Sequence, residues 1–152
     1  MYPAISIAGS FYYLQRMIDP QSLRIGNWLL YSRNGTEQFL RVINISSFSF
    51  TCEDSDIFEA DKDLDCFTPI PLTPVLMEKC GFEMRVHTWK NGTTAMDCYW
   101  LGSFYVRYEP LGSYIGVEKI DGSAVFLKTV FTVHQLQNIY YALTGEELKV
   151  EP

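Results

Sequence analysis

Polar and apolar residues alternate over most of this chain, and a period of two is typical of strands that bury one face. Phe82–Trp89 is the clearest example, because Phe82, Met84 and Val86 stand at every second position and a polar or charged residue follows each of them. The pattern predicts strands at Leu23–Tyr31, Phe39–Ile45, Ser47–Cys52, Phe67–Leu72, Phe82–Trp89, Ala95–Leu101, Ser103–Glu109, Tyr114–Ile120 and Ala124–Phe131.

Dipeptides that favour tight turns separate several of these strands, namely Asn34-Gly35, Asn91-Gly92 and Asp121-Gly122. Asn and Gly accept the positive φ angles that a two-residue hairpin turn needs, so each dipeptide predicts a hairpin. We therefore expect the strands within residues 82–131 to form an antiparallel meander. The strands before residue 53 are expected to form a small curled sheet or a partial barrel.

Two helices are predicted by their ends. Thr73-Pro74 places an N-cap residue before a proline, a combination that starts helices, and Gly81 ends the segment Val75–Cys80. Near the C-terminus, Thr132 and Gln135 have the spacing of a capping box, in which each side chain bonds the backbone N–H of the other residue.

The C-terminal helix, Val133–Leu143, is predicted to be amphipathic. Apolar residues recur at the i, i+3, i+4 and i+7 spacing that places side chains on one face of a helix. They are Leu136, Ile139, Tyr140 and Leu143. We expect this stripe to be buried against the meander.

These elements indicate an α+β fold made of antiparallel hairpins, a short middle helix and a C-terminal amphipathic helix. A chain of 152 residues is expected to form one domain. Residues 1–18 show no sustained period, and Asp19-Pro20 interrupts the chain after them. We therefore predict an N-terminal extension at residues 1–18 and a single domain at residues 19–152.

The composition excludes two classes of function. The net charge is −6, and an excess of acids disfavours the binding of bulk nucleic acid, whose phosphates must be neutralised by Lys and Arg. Hydrophobic residues make up 47% of the chain, but polar residues interrupt every apolar run before it could span a bilayer. The sequence predicts neither a nucleic-acid-binding protein nor a membrane protein.

The cysteines and acids carry no metal or cofactor signature. None of the four cysteines lies in a C-x-x-C pair, and no export signal is evident, so we expect free thiols in a reducing cytosol. Asp61, Asp63 and Asp65 match the start of a calcium loop, but Cys66 stands where that loop needs Gly and Leu72 where it needs Glu. We expect no metal and no cofactor.

No catalytic residue can be assigned from motifs. The sequence has no G-x-S-x-G nucleophile elbow and no glycine-rich phosphate loop. Its two histidines are His87, within a predicted strand, and His134, in the first turn of the last helix. An enzyme is disfavoured. The alternative that stays open is a small hydrolase that uses His87 with a nearby acid or thiol.

A binding surface is predicted on the polar side of the meander. Arg85, His87 and Trp89 alternate along one strand, and Tyr105 and Arg107 along a later one. A strand needs one apolar row for folding, so Trp and Arg on the other row suggest a second role. Arg is a planar, permanently charged donor and Trp a stacking surface, which suits an anionic aromatic ligand or an acidic protein partner. The competing interpretation is that these aromatic residues cover a second layer of the protein.

Three stretches carry a resemblance: Leu23–Asn27, with the sequence LRIGN; Pro69–Phe82, which begins PIPLT; and His134–Leu148, with the sequence HQLQNIYYALTGEEL. Together they resemble small uncharacterised proteins of gut Bacteroidetes and of their phages and prophages, over residues 22–149. The resemblance implies no activity, cofactor or site residue. It implies the cytoplasm of a bacterial cell as the compartment and a mobile genetic element as the origin.

These features favour a non-enzymatic accessory protein, encoded by a phage or prophage, that binds a host protein or sequesters a small anionic ligand resembling a nucleotide. The predicted surface at Arg85, His87, Trp89, Tyr105 and Arg107 is also compatible with a homo-oligomer.

Overall fold

The fold is α+β, as predicted. The structure, a computed structural model, describes residues 18–53, 64–88, 91–109 and 112–151. The chain divides into two compact units, Met1–Ile70 and Pro71–Pro152, each with one antiparallel sheet. The prediction of a single domain at residues 19–152 stays a prediction, and residues 1–17 of the expected extension lie outside the described part. Within the described part, no helix is both long and apolar enough to cross a bilayer.

The first unit is built on an open sheet of four strands. They are β1 (Trp28–Arg33), β2 (Thr36–Ile45), β3 (Phe50–Cys52) and β4 (Phe67–Pro69), in the order β3-β2-β1-β4. The hairpin between β1 and β2 turns at Asn34 and Gly35, whose φ angles of 52° and 78° are those that the Asn-Gly pair predicted. Of the two alternatives for this region, the structure has the small sheet.

Alternation along β2 separates the two sides of this sheet. Leu40 and Val42 are buried, whereas Phe39 and Ile43 are exposed, as expected of a strand that buries one face. The Phe67 ring on β4 packs into the same core. The buried core residues of this unit are Leu23, Leu29, Tyr31, Leu40, Val42, Phe50, Cys52 and Phe67.

The first strand is shorter than predicted because a turn precedes it. The strand expected from Leu23 begins only at Trp28. The backbone N–H of Asn27 donates to the carbonyl of Arg24 at 3.1 Å, and the Asn27 side chain accepts from the Arg24 N–H at 2.8 Å. Gly26, with φ of 94°, supplies the positive angle of this turn.

The third strand is also shorter than predicted. It was expected from Ser47 and begins at Phe50. The Ser46 N–H donates to the Ser49 carbonyl at 2.8 Å and closes a tight turn. Phe48 lies in this turn and is exposed, whereas Phe50 is buried at the start of the strand.

The second unit contains the predicted meander. Its strands are hydrogen-bonded in chain order and are β5 (Glu83–Thr88), β6 (Thr94–Leu101), β7 (Phe104–Arg107), β8 (Ser113–Glu118) and β9 (Ala124–Val130). Gly92 and Gly122 lie in two of the connecting turns with positive φ angles of 82° and 76°. The Asn-Gly and Asp-Gly dipeptides therefore mark turns where they were expected.

The helix α1 (Pro74–Lys79) begins as predicted. The Thr73 hydroxyl accepts from the backbone N–H of Leu76 at 3.3 Å, and Pro74 is the first helical residue. Cys80 caps the helix at its end, and Gly81 follows with φ of 86°.

The helix α2 (Val133–Thr144) begins at the predicted residue but without the predicted capping box. The Thr132 side chain makes no capping bond to the helix and instead lies 3.1 Å from Nδ1 of His134. Gln135 Oε1 accepts from the backbone N–H of Phe131 at 2.9 Å. The capping box does not form because the Thr132 hydroxyl contacts the His134 ring, and the Gln135 side chain bonds the backbone N–H of Phe131 instead of that of Thr132.

The buried face of α2 is rotated relative to the prediction. Leu136 is fully buried, but Leu143 is 48% exposed, and Ile139 and Tyr140 are half-buried. The residues of α2 that are buried are Val133, His134, Leu136 and Gln137. The buried face thus includes two polar side chains, those of His134 and Gln137, in place of the later apolar residues that periodicity predicted. The last turn of α2 extends beyond the packed region.

Candidate functional site

The two faces of the five-stranded sheet are covered differently. One face carries Phe104 and Val106; Val106 is fully buried, and the Phe104 ring lies 5.6 Å from the Tyr140 ring of α2. Because neighbouring residues of a strand point to opposite sides, Tyr105 and Arg107 lie on the other face. We call this second surface the open face.

Strand register places both predicted rows on the open face. Arg85 pairs with Cys98 across β5 and β6, and Cys98 pairs with Arg107 across β6 and β7. Directly paired residues of antiparallel strands share a face. Arg85 and Arg107 are therefore on the same side, separated by one strand, with Cα atoms about 10 Å apart. Trp89, the remaining member of the first row, lies outside the described residues.

A small aromatic cluster fills the middle of the open face. It consists of Cys98, Trp100 and Tyr105, all buried. The Trp100 ring centroid lies 5.1 Å from that of Tyr105 and 4.8 Å from that of His87. Tyr105 is only 6% exposed, and burial raises the pKa of its phenol. The packing interpretation therefore holds for Tyr105, which has little ring surface left for a ligand.

An open depression of about 230 Å³ lies beside this cluster, lined by Tyr105, Arg107, Tyr114 and Phe126. Arg107 pairs with Tyr114 across β7 and β8, and the Tyr114 and Phe126 rings stand 5.6 Å apart at 61°. Phe126 is more than half exposed. A guanidinium among three rings can pair with an anionic group while the rings contact a planar apolar one.

The two arginines of the open face differ in how tightly a neighbouring acid holds them. Arg85 Nη2 lies 2.6 Å from Glu83 Oε2, a short charge-assisted hydrogen bond. Arg107 Nη2 lies 3.5 Å from Glu109 Oε1, which is too long for such a bond. Both side chains are about half exposed. Arg107 is thus the arginine better placed to bind an external anion.

His87 reaches across the open face to an acid that the sequence did not suggest. Its Nε2 lies 3.6 Å from Oε1 of Glu118 on β8, and both side chains are largely buried. Two strands separate β5 from β8, a span of about 14 Å in a flat sheet. The contact therefore links the two strands that flank β6 and β7 on the open face.

The apolar row predicted for β5 is exposed rather than buried. Phe82 is 2% exposed, but Met84 and Val86 are 58% and 63% exposed. β5 is an edge strand of the described sheet, and its register with β6 shifts between Arg85 and His87. Met84 and Val86, which were expected to pack, therefore lie exposed along the edge of the sheet, beyond the buried residues of the inner strands.

The thiols and the second histidine do not support covalent chemistry at this site. All four cysteines are free, as predicted. Cys98 is the one on the open face; it is fully buried, and burial raises the pKa of its thiol, which lowers the fraction of nucleophilic thiolate. His134 is buried on α2, and burial lowers its pKa to about 4. Of the two kinds of partner proposed for His87, an acid and a thiol, an acid is present, namely Glu118.

Metal binding has no support in the described part of the chain, where no three His, Cys, Asp or Glu side chains are grouped as a metal site. Asp61 and Asp63 lie outside the described residues. The expectation that Asp61, Asp63 and Asp65 bind no calcium therefore stays a prediction.

Four residues of the open face were missed by sequence reasoning: Trp100, Tyr114, Glu118 and Phe126. Alternation could have placed Tyr114 and Phe126 on one face of the β8–β9 hairpin, since the Asp-Gly turn was recognised. Trp100 and Glu118 join the site through the order and register of the strands, which the period of a single strand does not reveal.

Comparison of the chain with protein-family models, with curated proteins and with solved structures finds no match. The interpretation of the open face therefore depends on its own geometry.

Proposed function

We propose that this protein is a non-enzymatic binding protein that sequesters a small anionic ligand with an aromatic ring, such as a nucleotide, on the open face. The observation that carries the proposal is the depression in which Arg107 stands among the rings of Tyr105, Tyr114 and Phe126. The guanidinium supplies the donors for the anion, and the exposed rings of Tyr114 and Phe126 supply stacking surface. The resemblance noted above supports a phage- or prophage-encoded accessory protein acting in the bacterial cytoplasm.

The scale of the depression favours a small ligand over a host protein. Its volume of about 230 Å³ is slightly below the range of small-molecule pockets. A stable protein interface would cover about 800 Å² on each partner, far more than four lining residues provide.

The test is the affinity of Arg107→Ala for nucleotides, measured by titration calorimetry. Loss of the anchoring guanidinium should weaken binding by about 2 kcal/mol, or about thirtyfold. Arg41→Ala is the matched control, because Arg41 is equally exposed and lies 3.7 Å from Glu53 on the first sheet. An equal loss in both variants would indicate nonspecific charge attraction and would remove the proposed site.

A hydrolase remains the second candidate because of one contact, that of His87 with Glu118. A carboxylate beside an imidazole can orient the ring for proton transfer, which is the arrangement of a general base. Mass analysis of nucleotides recovered after incubation separates the candidates. Intact ligand supports sequestration, whereas cleavage that disappears in His87→Asn and Glu118→Gln supports the hydrolase.

A further inference from the structure

The phenol end of Tyr105 lies directly over Gly116, its register partner on β8. A Cβ at position 116 would overlap Oη and Cζ of Tyr105 and would stand 2.6 Å from Cε1, closer than real Cβ contacts. Gly116 is not among the glycines with positive φ. The close approach of the ring, and not a turn, is therefore the reason that this position needs glycine.

This packing sets the depth of the depression. The Tyr105 ring lies close to the sheet because Gly116 has no side chain beneath it, and the neighbouring side chains extend further from the sheet. Arg107 and Tyr114, the next register pair along β7 and β8, form one side, and Phe126, the partner of Gly116 on β9, forms another. Any side chain at 116 would lift the ring toward the space between them.

We propose that Gly116 sets the depth of this site and thereby its ligand class, a single planar ring carrying one anionic group. The inference rests on the proposed function and specifies its ligand. An apolar cavity of about 150 Å³ is known to hold benzene, whereas drug-sized ligands occupy about 300–1,000 Å³. A depression of about 230 Å³ fits one substituted ring between these limits.

Charge limits the ligand to one anionic group. Arg107 is the cation among the four lining residues, and Glu109 lies 3.5 Å from it. A single anion can replace that loose contact with bonds of about 2.8 Å. A triphosphate would bring further negative charges toward Glu109 and Glu118, and the lining residues that the structure describes include no second cation to neutralise them.

A pyrimidine nucleoside monophosphate and an aromatic carboxylic acid share this chemistry, and calorimetry with five probes distinguishes them. Uridine monophosphate and 4-hydroxybenzoate each carry one planar ring and one anionic group. Uridine lacks the anion, uridine triphosphate adds charge, and adenosine monophosphate has a two-ring base. At least one of the first two should bind tenfold or more tighter than the other three. Tighter binding of the triphosphate or the purine would overturn the ligand class. If no probe binds, the ligand class and the proposed function both fail.

The role of Gly116 is tested without any ligand. Fluorine NMR of 3-fluorotyrosine-labelled protein reports on Tyr105, whose resonance is the one missing from Tyr105→Phe. In Gly116→Ala this resonance should shift, and its phenol should titrate at lower pH because the ring is lifted from its buried position. An unmoved resonance would overturn the assignment of Gly116.

A second variant covers the case in which Gly116→Ala does not fold. Adding Tyr105→Ala removes the atoms that the new methyl group would meet, so the double variant should fold if the ring is the cause. Failure of the double variant to fold while Tyr105→Ala alone does fold would overturn the steric argument. Where Gly116→Ala folds, its affinity for the tighter of the two monoanionic probes should fall at least tenfold, and an unchanged affinity would count against its role in the site.

Discussion

Acidification should destabilise this protein through one buried imidazole. His134 is 4% exposed on the packed side of α2, and burial lowers its pKa to about 4 from an ordinary value of 6.5. The unfolded chain therefore takes up a proton near pH 6.5 that the folded protein resists until about pH 4. The stability that the neutral imidazole provides is complete above pH 6.5 and is lost as the pH falls toward 4.

The magnitude follows from the difference between the two pKa values. At about 1.4 kcal/mol per pKa unit, the loss is about 2 kcal/mol at pH 5 and about 3 kcal/mol at pH 4. A domain of this size has about 5–15 kcal/mol of stability in total, so the effect is large enough to measure by urea unfolding between pH 7 and pH 4. The position at the N-terminal end of α2 adds to the cost of charging this ring, because the helix dipole is positive there.

The assay compares the pH dependence of unfolding in three proteins. His134→Asn keeps a polar atom near the position of Nδ1, facing the Thr132 hydroxyl, but cannot take up a proton, so its stability should fall less between pH 6.5 and 4.5. His87→Asn is the comparison at the other histidine of the chain, and the change in pH dependence should be larger in His134→Asn than in His87→Asn. Carboxylates titrate in all three proteins and cancel in the differences. Equal pH dependence of wild type and His134→Asn would refute the reasoning.

Two further predictions concern packing and thiols. Leu136→Ala should lower the free energy of unfolding by about 2–5 kcal/mol because Leu136 is fully buried, whereas Leu143→Ala, at a half-exposed position of the same helix, should change it by less than about 1 kcal/mol; equal melting temperatures for the two variants would contradict the observed face of α2. Cys66, the half-buried thiol, should react first with a thiol reagent at pH 8, because burial raises the pKa of Cys52 to about 12 and of Cys80 to about 11; rapid reaction of all four thiols in the folded protein would show that these sites open readily.

Features determined by neighbouring residues were predictable from the sequence. The hairpin at Asn34-Gly35 and the cap at Thr73 follow from the conformations and hydrogen bonds of those residues themselves. The meander then follows, because short links between strands enforce antiparallel neighbours. The fold class therefore required no knowledge of distant contacts.

Features determined by distant contacts were not predictable. The face of α2 was misplaced because His134 and Gln137 are buried, and their polar character gave no sign of it. Within the candidate site, Arg85 and Arg107 could be named as residues, but their common face depends on a register that includes a shift between β5 and β6. Strand periodicity gives the side of each residue within its own strand. The pairing of strands then determines which residues of different strands share a face.

The last strand of the meander also bears on how the protein behaves in a crowded cell. β9 and Phe131 form the run AVFLKTVF, whose β-branched and aromatic residues are typical of segments that assemble into amyloid. β9 stands at the edge of its sheet, with much of its length exposed. Two features interrupt this edge: the charge of Lys128, and an extra residue between the partners of Ile115 and Gly116, which bulges the strand. Lys128 therefore has the position of a gatekeeper against fibril growth, a role that needs no ligand and no partner.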